Sequence, residues 1–322
     1  MWEKFAKELT APYDSAIPPS ARRTDIFDHY CEQGPHSAFY SNRGTAGRRR
    51  FFSSENGHAI DRALSRIRHW WRTEEIDERT RCILSAMLAS AVEKVSNTQG
   101  TFHDFPRDFI DSRALRPIAT LPPAESLFYG HESTWIGKKQ DTLDFIVDIP
   151  KHTVLYLDPP YNFRQYTSYY FMLNILTEYP EIIDLDEYFM NIKFVRGQNM
   201  ENDFTSSFCS TKQFIPSLRK LIERANTEHV VLSYFDGRNH WGSFKAETND
   251  SEGATLMEQL FTSDLFVPDS YECRPLDRLN YQSYGGFKAK PVQEFLFSAR
   301  KASVQTQVGN RGNSEWTGRA QA

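Results

Sequence analysis

An α/β fold with a mainly parallel sheet is what this chain predicts, and three stretches predict it. "TVLYL" (153–157) and "HVVLSYF" (229–235) are short continuous apolar runs, the pattern of strands buried on both faces. Between them lie two helical patterns, one from Ser168 to Glu178 and an amphipathic one through Phe214, Leu218, Leu221 and Ile222. Strand, helix, strand is a βαβ unit, and such units imply parallel pairing. "VQEFLFSA" (292–299) reads as a late strand at an antiparallel edge.

The elements before this unit differ in character. Residues 1–50 form an irregular segment of Pro, Gly, Ser and charge, with short helical patterns in 2–9 and near 24–31. Residues 51–125 are mostly helical. Ile60, Leu64, Ile67 and Trp71 recur at helical spacing over 58–72, with arginines on the other faces. A second helix fits 79–95, burying Ile83, Met87, Val92 and Val95, and ends in "SNTQG" with Gly100 as its turn residue. The stretch 101–125 reads as loop. The α/β region spans 126–300, and the polar residues 301–322 read as a disordered tail. There is no internal repeat.

A chain of 322 residues accommodates one large domain, or one with a sizeable insertion, and 39% hydrophobic residues suffice for a core. No run reaches eighteen apolar residues and the charged start "MWEKFAKELT" is no signal peptide, so a cytoplasmic protein without a membrane partner is expected. Cys31, Cys82, Cys209 and Cys273 lack metal-ligand spacing and are expected as reduced, mostly buried thiols. A net charge of −4 excludes coating nucleic acid by charge alone. A local basic groove stays open, because "RGTAGRRR" (43–50) and the arginines at 62, 66, 68 and 72 cluster early.

The chemistry concentrates in "LYLDPPYN" (155–162). Ligands of open α/β sheets gather beyond the carboxyl ends of the strands, where Asp158 falls. Pro159 and Pro160 fix φ and carry no N–H, so the Asp158 carboxylate and the Pro159 carbonyl form two rigid acceptors beside the flat ring of Tyr161. Two acceptors and a stacking plane suit a planar ring bearing an amino group. Accepting from both its protons favours a pyramidal nitrogen with a localised lone pair. A capping Asp before a Pro-Pro turn is the bland alternative.

"DPPYNFRQYTSYYFMLNIL" (158–176) resembles the amino-methyltransferase motif of Dam-like DNA adenine-N6 methyltransferases found in restriction–modification systems. "KVSNTQGTF" (94–102), "HVVLSYFDGRN" (229–239) and "LNYQSYGGFKAKPVQEFLF" (279–297) are similar to that family's stretches in the same order. The resemblance covers about residues 36–300. It implies a class-I S-adenosylmethionine-dependent α/β fold with a mostly helical insertion, acting on double-stranded DNA, and assigns target recognition to the helical region. It implies that Asp158, Pro159, Pro160 and Tyr161 hold a flipped adenine. Asp141 matches the acidic position facing the cofactor's adenine, or else caps a helix starting at Thr142. Arg164, Gln165, Tyr166 and Tyr169 would lie beside the pocket and meet DNA, although Tyr169 and Tyr170 fit equally as core. Lys94 and Asn97 would contact DNA or form a solvated helix end. Lys288 and Lys290 would contact phosphates from a hairpin tip.

One family feature is missing. The hydrophobic strand and glycine loop that open the cofactor site are not in this sequence. "RGTAGRRR" follows no buried strand and runs into arginines, so it reads as a basic loop near phosphates or a solvated one. By the family pattern, residue 1 falls after the first two core strands. An upstream segment, a second chain supplying the cofactor loop, or a degenerate remnant are the three accounts. A non-catalytic DNA-binding subunit, or an enzyme acting on RNA or another amine-bearing base, are the rival functions.

Overall fold

The computed structural model describes Phe5 and residues 22–40, 44–98, 100–103, 105–119, 140–160, 165–192, 205–235, 251–280 and 290–302. Helix α1 (Asp25–Tyr30) is too short to stand alone. Its first turn is held by the buried Asp61 carboxylate, which accepts from the Ile26 and Phe27 N–H groups at 2.8 and 2.9 Å. A hairpin follows, β1 (Ala38–Tyr40) against β2 (Ala46–Arg48), with Gly44 at φ 77°.

Helix α2 (Ser54–Arg72) starts where Ser53 accepts from Asn56 N–H, and α3 (Glu78–Val95) where Asp77 accepts from Thr80 N–H. Ile60, Leu64 and Ile67 are fully buried, as their spacing predicts. Trp70 takes the deep position and Trp71 is half-buried under Arg81. Gly57 lets α1 and α2 cross closely: a Cβ there would meet Cys31 Sγ at 2.3 Å.

The early arginines mostly serve the fold. Arg68 donates to the carbonyls of Tyr179, Pro180, Ile182 and Ile183, and Arg72 to those of Glu181 and Ile182. Arg48 and Arg49 likewise donate to carbonyls of residues 32–38, and Arg50 to Glu32 and the Arg107 carbonyl. These guanidiniums tie loop carbonyls of the helical region together.

The second half begins with α4 (Thr142–Phe145) and β3 (His152–Leu157). Next come α5 (Tyr166–Tyr169), α6 (Phe171–Glu178), α7 (Leu185–Met190), a 3-10 turn (Ser207–Cys209) and α8 (Phe214–Arg224). Then follow β4 (Thr227–Phe235), α9 (Ser251–Phe261), β5 (Glu272–Asn280) and β6 (Lys290–Arg300). The helix read over 168–178 is thus two, broken at Tyr170. Phe171, Met172, Ile175, Leu176, Leu185 and Phe189 pack into the same core as α2 and α3, so α6 and α7 join the helical region rather than the sheet.

The sheet order is β3-β4-β6-β5, with β3–β4 parallel and both other pairings antiparallel. Among the described residues the sheet is mixed rather than mainly parallel. The reason lies in the connections: β3 and β4 are separated by a long helical excursion, whereas β5 and β6 are close enough in sequence to pair as a hairpin. β6 is interior, and the antiparallel edge expected of it belongs to β5.

Helices α8 and α9 cover one face, where Leu218, Leu221, Met257 and Phe261 meet Val230, Leu232, Tyr234 and Phe297. On the other face Val154 is 51% and Tyr156 58% exposed. The expectation that β3 is buried on both faces therefore fails. Its register sets Tyr156 beside Val231, opposite to α8 and α9, and none of the described helices covers that side. Its outer edge is unpaired among the described residues. All four cysteines are free, but only Cys31 and Cys209 are buried. No helix among the described residues is long and apolar enough to cross a membrane.

His29 sits among Tyr30, His36 and Phe189, with ring centroids 5.1–6.4 Å away. Burial above all, then the charges of His36 and Arg49, lowers its pKa from 6.5 to about 4. The unfolded chain then binds a proton that the folded chain refuses, so this contribution is present above pH 6.5 and lost as pH falls towards 4. Reduced for solvent screening, the loss is on the order of 1–2 kcal/mol. Urea unfolding at stepped pH values should show a shallower acid-side loss in His29→Phe than in the wild type.

Candidate active site

Asp158 leaves β3 at its carboxyl end and is exposed, with Pro159 and Pro160 half-buried behind it. The residue before a proline is held in extended conformations, so the chain runs straight out of the sheet. Tyr161 and Arg164 lie outside the described residues, as does Lys288. Of Lys290 only the backbone is described, paired with Asn280 at the start of β6.

Beyond the corner, Gln165 opens α5 and its Oε1 accepts from Ser206 N–H at 2.9 Å. That bond ties the segment after Asp158 to the turn that precedes α8. Ser206 in turn accepts from Phe208 N–H. Tyr166 and Tyr170 meet edge to face, centroids 5.6 Å apart, and are 51% and 37% exposed. Burial above all raises the Tyr166 pKa, with smaller contributions from Tyr170, the Asp158 charge and Cys209.

Tyr169 points elsewhere. Its ring stacks on His103, centroids 4.4 Å apart and 10° from coplanar, and its carbonyl accepts from Phe102 N–H. Lys94 is exposed in the last turn of α3. Asn97, two residues past that helix, is fully buried. Its Nδ2 donates to the Arg50 and Phe109 carbonyls, and its Oδ1 accepts from Asp111 N–H. The backbone N–H of Asn97 donates to the Phe51 carbonyl. The side chain splices three segments and faces neither solvent nor a groove, which departs from the solvated helix end expected there. Asp141 caps α4, its carboxylate accepting from Leu143 N–H at 2.8 Å.

Two polar groups near the corner escaped the sequence reading. Ser233 of β4 is 2% exposed and donates to Glu294 Oε1 at 2.5 Å. The signal was present: a Ser in "VVLSYF" and a Glu in "VQEFLF" each interrupt an apolar strand. Nothing in the sequence alone said that the two strands are neighbours.

An α/β protein with a rigid acidic corner at the carboxyl end of its sheet, flanked by exposed tyrosines, is the class that fold and site define. Residues 25–230 match the model of the D12 class N6 adenine-specific DNA methyltransferases, and the chain belongs to that family. It is 30% identical over 220 residues to the type II methyltransferase M.NlaIII of Neisseria lactamica, covering 68% of this chain and 57% of that one. It is 26% identical over 257 residues to the type II methyltransferase M.FokI of Planomicrobium okeanokoites, covering 79% and 35% respectively. With the type II methyltransferase M.CviAII of Paramecium bursaria Chlorella virus 1 the identity is 26% over 204 residues, covering 61% and 53%. The chain therefore spans between a third and three fifths of these relatives' lengths. No solved structure matches.

Proposed function

We propose that this protein is a site-specific DNA methyltransferase that moves a methyl group from S-adenosylmethionine to adenine N6 in double-stranded DNA. The observation that carries the reading is the Asp158–Pro159–Pro160 corner at the carboxyl end of a strand parallel to its neighbour, in a member of an adenine-specific family. The Asp158 carboxylate and Pro159 carbonyl accept from the two amino protons of an extruded adenine. The amine nitrogen then pyramidalises, and its lone pair becomes available for attack. Tyr161 stacks on the base, offsetting part of the cost of leaving the duplex. The exposed Tyr166 extends this aromatic wall, with Arg164 and Gln165 between. Lys94, Lys288 and Lys290 supply phosphate contacts. Asn97 supports that surface from inside, and Tyr169 anchors α5 behind it.

S-adenosylmethionine, when bound, supplies an electrophilic methyl group. The described residues do not by themselves fit it. Gly44, in the hairpin, and Gly100, after α3, are the described glycines with positive φ, and neither follows a buried parallel strand. Asp141 is the acidic residue left to face the cofactor, and its carboxylate already caps α4. The cofactor loop is therefore proposed to come from an upstream segment or a second chain. The edge of β3, unpaired among the described residues, and the exposed Val154 and Tyr156 support this, since such edges and apolar faces are normally covered. The longer relatives support it too.

Asp158→Ala, and equally Tyr161→Ala, should lower methyl transfer by roughly a hundredfold or more while leaving the fold intact. The measurement is labelled-methyl incorporation into unmethylated genomic DNA by the chain completed with the segment or partner that supplies the cofactor loop, with RNA in a parallel arm. A near-normal rate in folded Asp158→Ala removes the chemistry, and incorporation into RNA alone redirects the substrate.

The lysines generate a second expectation. The double variant Lys288→Ala, Lys290→Ala should weaken binding to all DNA sequences alike and flatten its salt dependence. An unchanged salt slope would place both in free solvent.

The cofactor generates a third. Calorimetry on residues 1–322 alone should detect weak or no S-adenosylmethionine binding, and adding the loop-bearing segment should restore it. Tight stoichiometric binding without any addition would refute the need for one.

A further inference from the structure

We infer that Glu294 is a positioning residue for Asp158 and acts through the Ser233 hydroxyl. The inference deepens the methyl-transfer reading above and rests on it. In the antiparallel pairing of β4 with β6, Phe235 lies opposite Glu294 and Ser233 opposite Leu296. Ser233 and Glu294 are thus diagonal neighbours on one face, close enough for the 2.5 Å bond between them. In the parallel pairing of β3 with β4, Leu157 is registered with Leu232, so the next positions along are Asp158 and Ser233. Pro159 keeps Asp158 extended, which carries strand alternation one residue further and sets Asp158 on the face of Tyr156 and Ser233. Adjacent strands are about 4.8 Å apart. The Ser233 hydroxyl therefore stands between two carboxylates, one on each neighbouring strand.

A hydroxyl has one proton to give. Glu294 takes it, and a bond to a carboxylate is the stronger kind. With its proton held on that side, Ser233 presents only lone pairs towards Asp158. The acceptor capacity of Asp158 is then not spent on Ser233. Without Glu294 the hydroxyl turns and donates to Asp158. It then occupies an acceptor position and stabilises the charge that the adenine amine must meet. β4 lies inside the sheet and Ser233 is buried, so water does not compete for the choice.

The test needs no catalytic turnover. The Asp158 carboxyl is titrated by carbon-13 NMR in the full chain, in wild type, Glu294→Ala, Glu294→Gln, and Ser233→Ala combined with Glu294→Ala. Tyr166 also senses Asp158, but its pKa is raised and it does not titrate in the acid window. Glu294→Ala should lower the Asp158 midpoint by on the order of one pH unit, because it gains a hydrogen bond and loses a neighbouring charge. Adding Ser233→Ala should move it part of the way back. Glu294→Gln, whose amide oxygen still accepts the hydroxyl proton, should shift it less than Glu294→Ala. An Asp158 midpoint unmoved by Glu294→Ala overturns the inference. So does a lowered midpoint that Ser233→Ala fails to raise, since charge alone would then link the residues. In an assembly that transfers methyl groups, Glu294→Ala should lower kcat about tenfold at little-changed KM, with part restored by adding Ser233→Ala. If the midpoints move as expected but no wild-type assembly methylates DNA, the coupling stands and the methyl-transfer reading falls.

Discussion

Five registered positions hold β3 parallel to β4, from His152 beside Thr227 to Leu157 beside Leu232. Parallel neighbours cannot be joined by a tight turn, so the chain must leave the sheet at Asp158 and travel far before it returns. That obligation shapes everything near the corner. The excursion carries the tyrosines of α5, the helices α6 and α7, and the turn that Gln165 fastens through Ser206. An exposed carboxylate at the end of an apolar strand is a natural product of this topology. The prolines make its direction fixed rather than incidental.

The helical region depends on a different device. Its connections combine backbone bonds, such as Phe51 N–H to the Tyr30 carbonyl and Phe102 N–H to the Tyr169 carbonyl, with side chains that bind backbone. Asp61 holds the start of α1, Arg68 and Arg72 hold the turn after α6, and Asn97 holds the loop segments at Arg50 and Phe109. Each uses a group with several donors or acceptors to satisfy several orphaned backbone atoms at once. Several arginines that look like a nucleic-acid surface in the sequence are thereby engaged with backbone carbonyls, although Arg48 and Arg72 stay exposed.

This explains what could be read from the sequence and what could not. Apolar periodicity located α2, α3, α8, β3, β4 and β6 to within a few residues, because burial selects those side chains directly. The place of Asp158 was legible for the same reason: the apolar run stops there, and β3 ends at Leu157. The order of strands was not legible, since an apolar run does not announce its neighbour, and β6 was placed at an edge when it is interior. The fate of polar residues was the least legible. Asn97 and Arg68 have the composition of a solvated surface, and only the fold shows which carbonyls they reach. The break at Tyr170 was hidden because α5 and α6 share one helical pattern.

The membership of α6 and α7 in the first core reaches beyond packing. The chain enters the sheet at β3, then returns to the helical region before it enters the sheet again at β4. The two cores are therefore interleaved along the polypeptide rather than arranged end to end. No single cut separates them, and a chimera that exchanges residues 51–125 alone would leave Phe171, Ile175 and Phe189 facing a foreign surface. An exchange that keeps this core intact has to carry residues 51–125 and the α6–α7 segment together.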